Sequence, residues 1–441
     1  MKRADVRARI DKEYNASMPA RALCLFVVAA ALVAAPRPAL SDARAVVSEL
    51  ATLIEDNYFD PDKGRDIARE LRRAERAGAL DRYVEPRDLA AALTSRLKSA
   101  DRHFNVVWFA APDGPPAAAS DAHGRASALD GRGHGFRTVS MLAGSVGYIE
   151  MRSLPYISFR RPNDAARLAA DAALQLISGA NAVILDLRYA VGGYPEMAGY
   201  IISAFTAPNA DIYNVFHGRG ERQSERPVQP YHSPRLDVPV YVLVSGSTAS
   251  AAESVAYTLQ AAQRATIVGE RTSGAANPGG MLPVGAGFNV FISNSTPINP
   301  ITGTNWEGQG VQPEITVPAE QSLERAHVLA LEHVRDARGG AAATEIRWAL
   351  EYLTAGAAPR APAKLDEYAG TYADSMISVA DDGLRLRRLR HPVLRLRPLR
   401  GDTFMVIDEP SQRVIFERKS GAISGLHLQR ASGFSIWQPR S

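Results

Sequence analysis

From Arg137 onward, apolar runs of strand length alternate with stretches of helical periodicity, and this alternation restricts the fold more than any other feature of the chain. Val146 to Met151, Ala182 to Leu187 and Val238 to Val244 read as strands, whereas Ala165 to Ile177 and Ala251 to Ala262 read as helices. Such a pattern buries its apolar residues in an α/β domain with both sheet faces covered. Further short β segments at Thr266 to Val268 and Phe288 to Ile292, then a helix from Ser322 to Arg335, complete the unit.

The flanks differ in character. Between Asp42 and Arg102 the apolar residues fall at helical spacing: Val47, Leu50 and Ile54, then Ile67 and Leu71, then Leu89, Leu93 and Leu97. Three short helices are expected, with Pro61 and Pro86 in first turns, where a missing N–H is harmless. Pro112 to Gly135, rich in Pro, Ala, Gly and Asp, reads as a linker or mobile loop. A helical bridge from Ala343 to Leu353 and an Ala/Pro linker lead to Tyr368–Pro439. There, runs such as Leu384 to Leu389, Thr403 to Ile407 and Arg413 to Phe416, punctuated by glycine, suggest a small all-β domain. With 441 residues to distribute, the expected organisation is a leader over 1–41, a helical domain over 42–111, a linker over 112–135, the α/β domain over 136–336, a helical linker over 337–362 and a β domain over 363–441.

The leader reads as a signal peptide. Ala22 to Ala35 is apolar, preceded by Arg21, and too short to span a bilayer comfortably. Ala39 and Ser41 are small residues suited to a cleavage site, and Met18 offers an alternative start. An uncleaved signal acting as a membrane anchor is the alternative, and lipid attachment at Cys24 a less favoured one. Cys24 is the only cysteine and lies inside this segment, so a mature chain would have no disulfide, thiol nucleophile or thiolate metal ligand. A composition of 46% hydrophobic and 22% charged residues is that of an ordinary globular protein. The net charge of +4 is carried by scattered arginines, which gives no reason to expect nucleic acid as a partner. No HExxH motif or carboxylate cluster occurs, and no metal or other cofactor is expected.

The chemistry concentrates where the Val240 strand runs through small residues (SGSTAS) into a helix, placing Ser250 at the helix start. A serine there has an exposed hydroxyl near the positive end of the helix dipole, where backbone N–H groups can hold a developing oxyanion. N-capping is the commoner use of such a serine. A second strand ends in paired glycines, in Asp186-Leu-Arg-Tyr-Ala-Val-Gly-Gly-Tyr194, a turn open to close backbone approach and able to supply another oxyanion donor.

The strings DLRYAVGG, SGSTASAAE, VGERTSG and NWEGQGVQPEI, in that order, resemble the tail-specific (C-terminal-processing) serine peptidase family, which includes the tricorn core protease and the retinoid-binding modules of photoreceptor matrix. NYFDPDKGRDIARELR and LKSADRHFNV resemble the family's leader region, so the similarity runs from about Asp42 to His333. It implies a crotonase/Clp-like α/β core with an N-terminal helical domain, followed here by the small all-β domain, for which YAGTY (368–372) weakly resembles the barrel-like appendages of some exported hydrolases. The interval 112–135 is too short for the PDZ domain many members carry, so capture of a substrate carboxylate in a PDZ groove is not expected.

By resemblance Ser250 is the nucleophile, and the amide of Ala251 with Gly192 or Gly193 forms the oxyanion hole. Many members use a lysine base, but no lysine occurs between Lys98 and Lys364. The tricorn-like branch uses histidine, matched by His103, and a glutamate, matched by Glu307 three positions before Gly310. A histidine base with a carboxylate orienter suits neutral pH. That branch has a serine before the histidine, where this chain has Arg102; either Glu307 contacts His103 directly, or Asp101 or another hydroxyl takes the serine's place. Glu253, one turn into the helix, reads as structural. The resemblance implies a periplasmic or secreted peptidase that acts on peptides or unfolded protein through an acyl-enzyme, with no metal and an open oligomeric state. The competing expectations are a catalytically inert ligand-binding protein on the same fold and an esterase or amidase of small molecules.

Overall fold

In a computed structural model the described residues are 40–109, 133–335, 339–354, 364–380 and 383–441. The signal segment, Cys24 and most of the 112–135 linker lie outside them.

The chain opens with α1 (Leu40–Asn57), α2 (Pro61–Arg76) and α3 (Pro86–Leu97), followed by β1 (Asn105–Trp108). Both expected prolines fall at first helical positions, and Asp60 caps α2 by accepting from the Asp62 and Lys63 amides. The helices bury Leu50, Ile54, Leu71, Leu93 and Leu97 together with Val284, Val290 and Ile292 from a later hairpin. The helical leader thus shares one core with a segment nearly two hundred residues downstream.

The α/β unit contains β2 (Phe136–Leu142), β3 (Val146–Met151), α4 (Ala165–Leu176), β4 (Ala182–Asp186), α5 (Pro195–Ser203), β5 (Val215–Gly218), β6 (Arg222–Ser224), β7 (Val240–Val244), α6 (Ala251–Ala261), β8 (Thr266–Gly269), β9 (Gly279–Gly285), β10 (Phe288–Ser293), β11 (Ser295–Ile298) and β12 (Ile315–Thr316). Its main sheet has the order β12-β8-β7-β4-β3-β2. The first five of these are parallel to one another and only the edge strand β2 is antiparallel. Every residue of β4 and β7 is buried, as central parallel strands require. Residues of α4, α5 and α6 pack on one face, and α7 (Ser322–Arg335) with α8 (Gly340–Thr354) covers the other. Two smaller three-stranded sheets, β1-β10-β9 and β11-β5-β6, flank the unit.

The final domain is an eight-stranded antiparallel meander from β13 (Gly370–Tyr372) through β14 (Ser375–Ala380), β15 (Gly383–Arg388), β16 (Leu394–Arg400), β17 (Thr403–Val406), β18 (Gln412–Lys419) and β19 (Ala422–Arg430) to β20 (Ser435–Pro439). It closes on itself: Tyr372 bridges Arg440, and the Ala373 and Ser441 amides donate to Pro439 and Thr371 carbonyls. Closure removes the sheet edges, and Tyr372, Leu386, Phe404 and Phe416 help fill the interior. The buried Arg413 ties the barrel to α8 by donating to the Trp348 carbonyl at 2.9 Å. Among the described residues no helix is long and apolar enough to cross a membrane.

Candidate active site

Adjacent parallel strands end together: β4 and β7 pair Asp186 with Leu243. The two turns that follow therefore meet at the carboxyl end of the sheet, where α/β proteins place their ligands. Asp186 locks the first turn. It is buried, pairs with Arg188 at 2.6 and 2.9 Å and accepts from Tyr148 at 2.7 Å. The second turn is stitched to the first by Thr248, which donates to the Leu187 carbonyl at 2.8 Å, and by Ser245, which donates to that of Arg188.

These contacts bring Ser250 against Gly192. Ser250 stands at the N-cap of α6 with φ +55° and ψ −126°, a backbone region that disfavours any side chain and recurs at functional sites. A Cβ on Gly192 would stand 2.6 Å from the Ser250 Cβ and 3.2 Å from its hydroxyl, so only glycine fits beside the serine. Gly193, at φ +144°, lies against the backbone of Leu154, whose carbonyl oxygen an added Cβ would overlap. Among the described residues the amides of Gly192, Gly193 and Ala251 have no acceptor. They are free to face a developing negative charge beside Ser250. Gly193→Ala is expected to lower stability by roughly 1–3 kcal/mol through backbone strain, measured as a fall in the urea midpoint.

Glu253 holds the serine turn from beneath. It is fully buried, and its oxygens accept from the amides of Ser250 (2.9 Å), Gly274 (2.7 Å) and Ala275 (2.9 Å) and from the Thr272 hydroxyl. With its acceptor sites filled from within, this carboxylate is part of the scaffold. The same turn continues to Glu307, which accepts from the Ala276 and Asn277 amides at 2.7 and 3.2 Å. The segment 272–277 thus presents successive amides to two carboxylates. Gly310, at φ +71°, allows the Glu307 loop to lie on the Thr272 carbonyl, which explains the glycine spacing of WEGQGV.

His103 comes from the turn between α3 and β1. Its Nδ1 lies 3.2 Å from Asp101 Oδ1 and 3.8 Å from Glu307 Oε2, and its ring stacks on Phe291. Asp101 Oδ1 also accepts the His103 amide, while Oδ2 accepts from Tyr58 at 3.2 Å, Asn277 at 3.3 Å and Ser293 at 2.7 Å. Burial alone would raise the Asp101 carboxyl, but the hydrogen bonds from His103 and Ser293 outweigh it and hold it at about 2. Burial pushes the Glu307 carboxyl up, against the pull of the Ala276 amide. An ionised acceptor at Nδ1 places the ring proton there, which leaves Nε2 as the basic nitrogen. Asp101, His103 and Glu307 have metal-ligand spacing. The Asp101 oxygens and Glu307 Oε2 already accept N–H or O–H donors, an environment for a proton-carrying imidazole rather than a cation.

Ser250 and His103 are not hydrogen-bonded to each other in this structure; the 272–277 turn connects their surroundings. Arg102 donates to the Ser273 carbonyl at 3.2 Å, on that same turn. The sequence reading did not identify the Asp186–Arg188–Tyr148 lock, nor the convergence of Tyr58, Asn277 and Ser293 on Asp101. Only the run DLR, a buried-looking strand ending in paired opposite charges, signalled the former.

A serine at a helix N-terminus facing a glycine turn with unpaired amides, and a histidine held by a carboxylate on the adjoining turn, are the kinds of group that nucleophilic hydrolysis uses. Residues 145–317 match the family model described as peptidase family S41. Over 144 residues the chain is 31% identical to a carboxy-terminal-processing protease of Bartonella bacilliformis, covering 32% of this chain and 31% of that protein. Over 130 residues it is 36% identical to a carboxyl-terminal-processing protease of Synechocystis, covering 30% and 28%. The chain thus spans about a third of the length of the curated relatives it matches. A solved photosystem II D1 C-terminal processing protease aligns with a TM-score of 0.40 at 14% identity, over 63% of this chain and 94% of that one.

Proposed function

We propose that this protein is an exported serine peptidase that cleaves peptides or unfolded protein segments in the periplasm or outside the cell. The observation that carries the reading is the position of Ser250: a strained helix N-cap against Gly192, inside the segment that matches the peptidase family. In the reaction Ser250 Oγ bonds to the scissile carbonyl carbon as its proton passes to His103 Nε2. The carbonyl oxygen, now negative, takes the amides of Ala251 and of Gly192 or Gly193. The imidazolium, stabilised by Asp101, returns the proton to the leaving amine as the C–N bond breaks. A water molecule activated by the same imidazole then releases the acyl group. Glu307 lies beside this pair and supports the imidazolium from a longer distance.

A fluorophosphonate probe tests the reading. Ser250 is expected to carry the adduct, located by mass spectrometry, and His103→Ala to lose it while remaining folded. Folded protein that stays unlabelled near neutral pH would make the inert ligand-binding reading the better one. Parallel product analysis with peptides and short esters separates a peptidase from a small-molecule esterase.

A further inference from the structure

One hairpin of the barrel is unusually rich in arginine. The β15–β16 hairpin, residues 383–400, contains seven arginines and no acidic residue. Arg388 is paired with Asp374 and Arg395 with Asp408. Arg387, Arg390 and His391 are exposed, and among the described residues none of them has an acidic partner. Strand register sets Thr371, Met376 and Arg387 side by side on the outer face, since Thr371 pairs with Met376 and Met376 with Arg387. At the hairpin turn, Arg390 holds φ +63°, a conformation in which glycine or asparagine would be easier.

Large aliphatic side chains are interleaved with these cations. Leu389 is 81% exposed, and Met376 and Val393 are more than two-fifths exposed. Together with Arg387, Arg390 and His391 they border a hollow of about 570 Å³. A nucleic acid would satisfy the cations and leave the aliphatic groups in water. A bilayer surface satisfies both: phosphate oxygens meet the guanidinium groups, and the aliphatic side chains enter the boundary between headgroups and acyl chains.

We infer that the β15–β16 hairpin docks the protein on an anionic phospholipid surface, with the tip around Leu389 inserted and Arg387, Arg390 and His391 on the headgroups. The site is independent of the catalytic reading.

The test is co-sedimentation of the mature chain with vesicles of phosphatidylcholine alone and of phosphatidylcholine mixed with phosphatidylglycerol. Binding is expected only to the mixed vesicles, weakening as salt rises. The double variant Arg387→Glu/Arg390→Glu should weaken it about tenfold or more. Leu389→Asp should weaken binding also in low salt. Unchanged thermal unfolding would show that each variant is folded. Equal binding to both vesicle types, or undiminished binding by the folded variants, would overturn the inference. So would footprinting in which an acidic peptide or RNA, and not the vesicles, protects the hairpin.

Discussion

Ser250→Ala is expected to remove peptide hydrolysis, with a loss of about 10⁴-fold or more in kcat, while the unfolding transition stays close to that of the parent. The separation of effects follows from the serine's surroundings. The Glu253 carboxylate on the Ser250 amide is the main cap of this turn, and the Ser250 hydroxyl supplies only the reciprocal half of the capping box, accepting from the Glu253 amide. Removing one oxygen therefore takes away the proposed nucleophile and one capping bond, about 1 kcal/mol, and leaves the Glu253 carboxylate contacts in place. His103→Ala should come near the same loss, since two members of one proton-transfer unit are not additive. Kinetics and denaturation on the two single variants and the double variant check this. A Ser250→Ala protein that still turns over peptide would remove the assignment.

The second large effect is expected at Asp101. Asn in its place keeps the shape but presents a neutral amide to Nδ1, so the imidazole loses the partner that fixes its proton and stabilises its charged form. A fall in kcat on the order of 10²- to 10⁴-fold is expected, with KM nearly unchanged. Glu307→Gln should cost less, about tenfold, because it stands at 3.8 Å and its near oxygen is already engaged by two amides. The reverse ranking would make Glu307 the orienting group, as the family resemblance implies.

Asp101 also predicts a pH signature of stability. Its folded carboxyl is held at about 2, below its ordinary 3.8, so its contribution is present above about pH 4 and is lost as pH falls toward 2. The difference corresponds to roughly 2 kcal/mol. Asp101→Asn should therefore flatten the acid limb of the stability curve in that window and leave its shape above pH 5 unchanged.

Much of the architecture was legible because local chemistry and tertiary context agree. Pro61 and Pro86 begin helices where proline costs nothing, and β3, β4 and β7 are largely apolar runs because their faces are covered. The short strands β5, β6 and β11 were not anticipated: Val215–Gly218 and Arg222–Ser224 carry no two-residue alternation that rises above a loop. β9, GGMLPVG, has glycine and proline where a strand signal is sought. α5 carries little sequence signal because its start, Tyr194-Pro195, directly follows the glycine turn. At the site, residue type and order drew attention to Ser250, His103 and Glu307. The ranking of Asp101 ahead of Glu307 was not available, because it depends on Tyr58, Asn277 and Ser293, which approach Asp101 only after three distant segments have packed.

That packing makes the site dependent on two cores at once. Phe104, next to His103, belongs to the core built from α1–α3 and the β9–β10 hairpin, and Ala251, next to Ser250, to the core of the α/β unit. The proposed base and nucleophile thus rest on separate hydrophobic clusters. A cavity opened in the first, as by Leu93→Ala, is expected to displace the His103 side of the site while the buried strands β4 and β7 keep their own packing.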